Sequence, residues 1–396
     1  MRFNRVFAIF ALIVTSGFVV LADEETKTVK TSDAFLTVRL VDEDGKPVAD
    51  AQVGFYYFCN RVEKEWKFRP DVKSDKDGLA KLFEREEQLS RLNIYARQMD
   101  RRLVAVQNEE KADSDKVLNL VMRPECHVTY QLSCRQMEIL GRKPGYVGSG
   151  VKNNKQYFIQ ERLRSFDSTF DVYLPPGVFV LAIGGEHTHE VEHAIEIQNG
   201  QRELDLGTID LPATKMALLI GQPAPELHDC VEWKNGPPLK LAELRGKVIL
   251  LEFWGYWCGG CVYQAIPEMF KLQEEYRGRD LVIIGIHVDT EDNEAGTVEK
   301  LDEKLAGIRK NEWKGKDISF PVALAPVKRT SYGTGVERKA RTELSAEYGV
   351  IGYPTTVLID QEGKVVGSYY VTLKEDNAKL RERLTELLDV PGDTAQ

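Results

Sequence analysis

Cysteine is scarce. Six cysteines in 396 residues are far below the density of a disulfide-stapled scaffold. Blocks of Lys and Arg interleaved with aromatics are missing as well, and the net charge is −9. Both facts disfavour phosphate-backbone binding, so no nucleic acid is expected as a partner. Past residue 22 no stretch is long and apolar enough to span a membrane. What is present is ordinary for a globular chain, 42% hydrophobic and 29% charged. The length exceeds one ordinary core and predicts two or three domains.

The N-terminus reads as an address. Arg2 and Arg5 precede the apolar run "VFAIFALIVTSGFVVLA", and acidic "DEE" follows. A basic region, an apolar region and small Ala22 with Val20 two before it predict a signal peptide over residues 1–22. An uncleaved N-terminal anchor is the alternative. Either implies export to the periplasm or cell envelope, where cysteine pairs oxidise. No cysteine lies nearby to carry a lipid.

Three further regions differ in pattern. From Ala34, "FLTVRLVDEDGKPVADAQVGFYYF" alternates apolar and polar residues and breaks at Asp44-Gly45, predicting two strands joined by a turn. A second turn falls at Asp77-Gly78, and "LNIYARQ", "RLVAVQN" and "VLNLVMR" are further strands. Residues 34–122 therefore read as an all-β sandwich. Residues 123–215 continue in the same style, with a turn at Pro175-Pro176-Gly177, and predict a second β-sandwich. Residues 218–392 change to an α/β pattern. "KVILLEF" and "LVIIGIHV" are continuous apolar runs, as in strands buried on both faces. Helical patterns follow at about 261–276 and 294–312, a short one at 338–348, and a hairpin turns at Gly363. "KEDNAKLRERLTELL" closes the chain as an amphipathic helix with Leu380, Leu384, Leu387 and Leu388 on one side.

The chemistry centres on "LEFWGYWCGGC", residues 251–261. A strand ends near Trp254 and a helix begins near Cys261. Cys258 thus stands before the first turn, where unpaired N–H groups and the helix dipole favour a thiolate. Thiols so placed have pKa values lowered to roughly 3.5–7.5. Cys261, one turn further in, is close enough to close a small ring with it, the arrangement of a dithiol that attacks and then resolves a disulfide. A structural zinc site needs two more ligands, and His287 is the only later cysteine or histidine. A structural disulfide has no need of the strand-to-helix junction.

"FWGYWCGGC" together with "VIGYPTTVLID" closely resembles the thioredoxin superfamily, in the branch of exported TlpA-like and ResA-like thiol-disulfide oxidoreductases. "IGQPAPEL", "LAELRGKVILLEFWGYWCGGC" and "YGVIGYPTTVLID" follow that family's order over about 218–392. The resemblance implies a thioredoxin-fold domain behind the two β-sandwich domains. In it Cys258 is the nucleophile, Cys261 the resolving thiol and Pro354 a cis proline facing the pair. Trp257, Tyr353 and Pro354 are then the substrate-binding candidates, because a proline there leaves neighbouring backbone groups free for an extended substrate. No cofactor is implied. The implied partners are proteins exchanging disulfides and a membrane thiol carrier supplying electrons. Similarly, "VDEDGKPVADAQV" with "SDKDGLAKL" resembles carboxypeptidase regulatory-like domains, and such domains offer a means of envelope association.

Two departures from the family stand out. Gly259-Gly260 replaces the usual Gly-Pro or Glu-Pro, and the inner dipeptide helps set the redox poise. Gln264 stands where relatives often carry glutamate, with Pro267 one place late. Glu252, six residues before Cys258 and inside "ILLEFW", is the substitute acid–base candidate, since thioredoxins carry an Asp at the matching place. Burial would raise its pKa towards neutrality; the alternative is a strand-end glutamate reaching solvent or a lysine.

Other groups carry less. His187, His189 and His193 in "HTHEVEH" share a face if the segment is a strand, and read as a solvated strand edge. Trp254 reads as packing around the thiols and His287 as structural. Cys126 and Cys134 are too far apart for a bridge along one extended strand, and the pairing of Cys59 and Cys230 is left open. A thiol peroxidase-like redoxin is the enzymatic rival, but Gly255 stands where a peroxidatic site carries Thr or Ser. The non-enzymatic rival is an envelope binding or scaffold protein with a passenger redox domain.

Overall fold

The computed structural model describes residues 36–55, 72–82, 92–109, 117–153, 156–167, 169–290, 292–331 and 339–389. The predicted signal peptide and Cys59 lie outside these residues. The chain divides into two compact units. One spans Glu25–Ala213 and the other contains Thr214–Gln396. Among the described residues no helix is long and apolar enough to cross a membrane.

The first unit is built of strands. Leu36–Val41 sits between Leu79–Leu82 and Val117–Val121 in a three-stranded sheet. Gln52–Phe55, Leu92–Gln98 and Leu103–Glu109 are the middle of a five-stranded one. Val38, Leu40, Val53, Ile94, Ala96 and Met122 belong to one buried cluster fed by both sheets. Residues 126–210 make two more sheets, of three and four strands.

The predicted turn at Asp44-Gly45 and the strands on either side of it are present. The two strands never pair, because they lie in different sheets. Both edges of Leu36–Val41 are already taken, antiparallel by Leu79–Leu82 and parallel by Val117–Val121. The Asp42 carboxylate accepts from the N–H groups of Asp44 and Lys46 and holds the turn as a local knot. At Asp77-Gly78 the predicted turn is present. Asp75 accepts from the N–H groups of Asp77 and Leu79, and Gly78 takes φ +75°.

The second unit is a six-stranded mixed sheet. Its order is Glu232–Lys234, Val322–Ala325, Leu281–Val288, Val248–Trp254, Thr355–Ile359, Val365–Tyr369. The three central parallel strands are Val322–Ala325, Leu281–Val288 and Val248–Trp254. Every residue of Val248–Trp254 is buried, as its unbroken apolar run predicts. Alternation sends Val248, Leu250 and Trp254 to one face, against helices Ile266–Glu275, Val298–Asn311 and Lys374–Asp389. Ile249, Leu251 and Phe253 go to the other, against Leu344 and Tyr348 beside the short helix Glu343–Glu347. Glu252 has the parity of the first face, the face that also buries Cys261.

Candidate active site

Helical backbone begins at Gly259, directly after the turn that leaves the central strand. Cys258 therefore caps a helix N-terminus. Its carbonyl accepts from the N–H groups of Cys261 and Val262, at 3.0 and 3.1 Å. Its sulfur also accepts from the Cys261 N–H, at 3.3 Å. The two cysteines are joined as a disulfide, with Cα atoms 5.2 Å apart. Cys258 is partly exposed and Cys261 is fully buried. Cys258 thus stands at the positive end of the helix, a position that favours negative charge.

Residues 261–265 form a π-turn before the α-helix resumes at Ile266. Pro267 has no N–H with which to bond back into that turn, and π-turns recur where a helix carries chemistry. The Trp313 indole N–H donates to the Val262 carbonyl at 2.7 Å and holds the turn from outside.

The Tyr353–Pro354 peptide bond is cis. A Cβ on Gly260 would meet Pro354 Cδ at 3.4 Å, so the ring faces the Gly-Gly turn of the dithiol loop. Cys258 Sγ lies 3.5 Å from the Tyr353 carbonyl oxygen. Trp257 packs edge-on against Tyr353, ring centroids 5.8 Å apart, and its N–H donates to the Val288 carbonyl at 2.9 Å. Cys258, Trp257 and Tyr353 thus share one partly exposed surface, against which the buried Pro354 packs, although about ninety-five residues separate its two halves.

Glu252 lies beneath this surface. It is wholly buried and pairs in register with Thr356, whose hydroxyl donates to Glu252 Oε2. Oε1 has no partner. Burial pushes the carboxyl up to about 8, against a weaker downward pull from the Thr356 hydroxyl. The alternative of a strand-end carboxylate reaching solvent or a lysine does not hold. Gln264 is exposed and offers nothing to Cys261.

The Redoxin family matches residues 219–384. The thiol-disulfide oxidoreductase ResA of Bacillus thuringiensis subsp. konkukian is 31% identical over 147 residues, 37% of this chain and 67% of that protein. The chain belongs to the ResA-like thiol-disulfide oxidoreductases. The thioredoxin-like protein YneN of Bacillus subtilis is 27% identical over 40% of this chain and 78% of its own length. Protein DipZ of Mycobacterium tuberculosis is 32% identical over 38% of this chain, and the match spans 19% of DipZ. A thiol-disulfide isomerase from Corynebacterium glutamicum is similar over 42% of this chain and 98% of its own, at 26% identity and TM-score 0.32.

Within this ResA-like unit His287 is buried between Trp254 and Tyr256, and burial pushes it down to about 3, so the ring is neutral. The other described cysteines are poor rivals of Cys258. Cys126, Cys134 and Cys230 are unpaired, burial raises all three, and Cys230 reaches about 11. The histidines share no strand face, and the strand that carries His193 is the edge of its sheet. Only His193 lies on the strand Val191–Ile197, while His187 precedes it and accepts from the Gly145 N–H. Among the described residues His228, Asp229 and Glu343 come close enough for a shared ion. They are already engaged, His228 by Glu347 and Glu343 by Lys328.

Arg341 and Trp313 were not singled out from sequence. The Arg341 guanidinium lies over the Trp257 ring, 4.3 Å from its centroid. Neither residue is near the cysteines in sequence. For Trp313 a large aromatic closing a charged helix was the available signal.

Proposed function

We propose that this protein is an exported thiol-disulfide oxidoreductase that exchanges disulfides with partner proteins through Cys258 and Cys261. The observation that carries the reading is the pairing of a partly exposed, helix-capping Cys258 with a buried Cys261 against Pro354. In the reducing direction the Cys258 thiolate attacks a partner disulfide. A mixed disulfide forms and one partner sulfur leaves as thiolate. Cys261 then gives its proton to Glu252 and attacks the Cys258 sulfur. The partner departs as a dithiol and the pair is oxidised by two electrons. A buried carboxyl with pKa about 8 is suited to that proton, being close to working pH.

Trp257, Tyr353 and Pro354 serve in this reading as the surface on which an extended substrate lies. Re-reduction of the pair is assigned to a membrane thiol carrier. The location is the periplasm or envelope, with residues 1–22 as the signal. Residues 34–122 and 123–215 are proposed as two β-sandwich domains, the first carboxypeptidase regulatory-like, that dock partners or the envelope. The shared cluster under the first two sheets favours the first of them.

Insulin reduction with dithiothreitol as donor tests the activity. Wild type should turn over, and Cys258→Ser should not exceed the dithiothreitol blank. Equal rates for the two proteins would refute the reading and leave a scaffold with a passenger fold.

A further inference from the structure

Arg341 is a half-buried cation on the surface that carries the nucleophile. Its guanidinium rests on the face of Trp257, the residue next to Cys258. The indole is fixed by two further contacts. Its edge meets Tyr353, and its N–H is spent on Val288. The backbone of Arg341 is held too, since its carbonyl accepts from the Lys328 N–H. The following residue, Thr342, caps the helix Glu343–Glu347, and its hydroxyl donates to Ser345. Ser345 in turn bonds the Tyr353 hydroxyl at 2.9 Å. Arg341 and the cis-proline loop are therefore parts of one framework.

The indole face is the only partner of this guanidinium among the described residues. Other cations of this unit differ. Lys328 is paired with Glu343, and Arg381 with Glu268 and Glu275. A guanidinium carries five N–H donors in a planar fork that matches a carboxylate. Stacking on an aromatic orders the side chain while leaving those donors free at its edge. In a chain of net charge −9, an ordered cation whose donors are unspent among the described residues is suited to recognising an anion.

We propose that Arg341 is a specificity-determining residue of the substrate surface, binding an aspartate or glutamate side chain that flanks the disulfide cysteine of the partner polypeptide. The proposal rests on the exchange activity proposed above. Arg341 takes no part in the covalent steps. It raises the rate of the first attack by holding the partner, and acidic partners gain most.

The test uses pre-reduced full-length protein and three disulfide-linked peptides that differ only in Asp, Asn or Lys beside the cysteine. Neutral hydroxyethyl disulfide is the reference. Second-order rates are read by stopped-flow tryptophan fluorescence. Wild type should prefer Asp to Asn by about fivefold, since each 1.4 kcal/mol is tenfold and a partly exposed pair is worth about 1 kcal/mol. Arg341→Gln should abolish the preference with the hydroxyethyl disulfide rate unchanged, and Arg341→Lys should retain part of it. A preference that survives in Arg341→Gln overturns the proposal. So does an equal slowing of every substrate, which would make Arg341 a charge acting on the Cys258 thiolate. Failure of wild type to reduce even hydroxyethyl disulfide would instead sink the exchange reading beneath it.

Discussion

The backbone N–H of Cys261 points at the sulfur of Cys258 from 3.3 Å. One residue thus offers its N–H to the Cys258 sulfur and its own sulfur to the disulfide. The arrangement makes the two cysteines unequal. Cys258 is partly exposed at the helix mouth, while Cys261 is buried on the face of the sheet that also holds Glu252.

Glu252→Gln should slow resolution of the mixed disulfide by about 100-fold and leave the first attack within about twofold, the low end of general acid–base effects. The wild-type resolution rate should rise with pH through about 8, where the carboxyl loses its proton, and the variant should lack that inflection. Stopped-flow traces that separate the two steps check this. Equal slowing of both steps contradicts a proton-transfer role.

The same carboxyl makes stability depend on pH. Its folded pKa of about 8 lies above the unfolded value of about 4.3. Its contribution is therefore full below about pH 4.3 and is lost as pH rises towards 8. The slope reaches about 1.4 kcal/mol per pH unit inside that window. Glu252→Gln should gain on wild type steadily from pH 5 to pH 8 in thermal melts. A difference in melting temperature that stays flat over that range would show that Glu252 titrates normally.

Much of this site is legible from local pattern, and the rest is not. Cys258 and Cys261 show themselves by spacing and by the apolar strand before them. Glu252 shows itself as a charge inside that strand. Its partner Thr356 lies 104 residues away on the neighbouring strand, and no local signal links them. Arg341 and Trp313 reach the dithiol loop through the packing of separate loops. The turn at Asp44-Gly45 is legible, but a turn signal does not say which strand fills the adjacent edge, and the two strands it joins lie in different sheets. Glu232–Lys234 is only three residues long and becomes a strand only because Val322–Ala325 offers it an edge.

Trp313→Phe keeps the ring but loses the hydrogen bond to Val262. A buried carbonyl left unpaired costs about 1–3 kcal/mol, so the melting temperature should fall. The change should also alter the reduction potential of the Cys258–Cys261 pair, because Cys261 belongs to the turn that Trp313 holds. Redox titration against glutathione buffers measures it. An unchanged potential with lowered stability would make Trp313 a packing residue alone.

The most direct test of the central claim is to map the mixed disulfide formed by Cys261→Ser. The variant, reduced and mixed with a disulfide protein, should accumulate a covalent adduct. Mass spectrometry should place its bond at Cys258, because the first thiol attacks and the second is gone. Cys258→Ser treated in the same way should form none. An adduct through Cys126, Cys134 or Cys230, or adducts of equal yield from both variants, would contradict the assignment of Cys258 as nucleophile and Cys261 as resolving thiol.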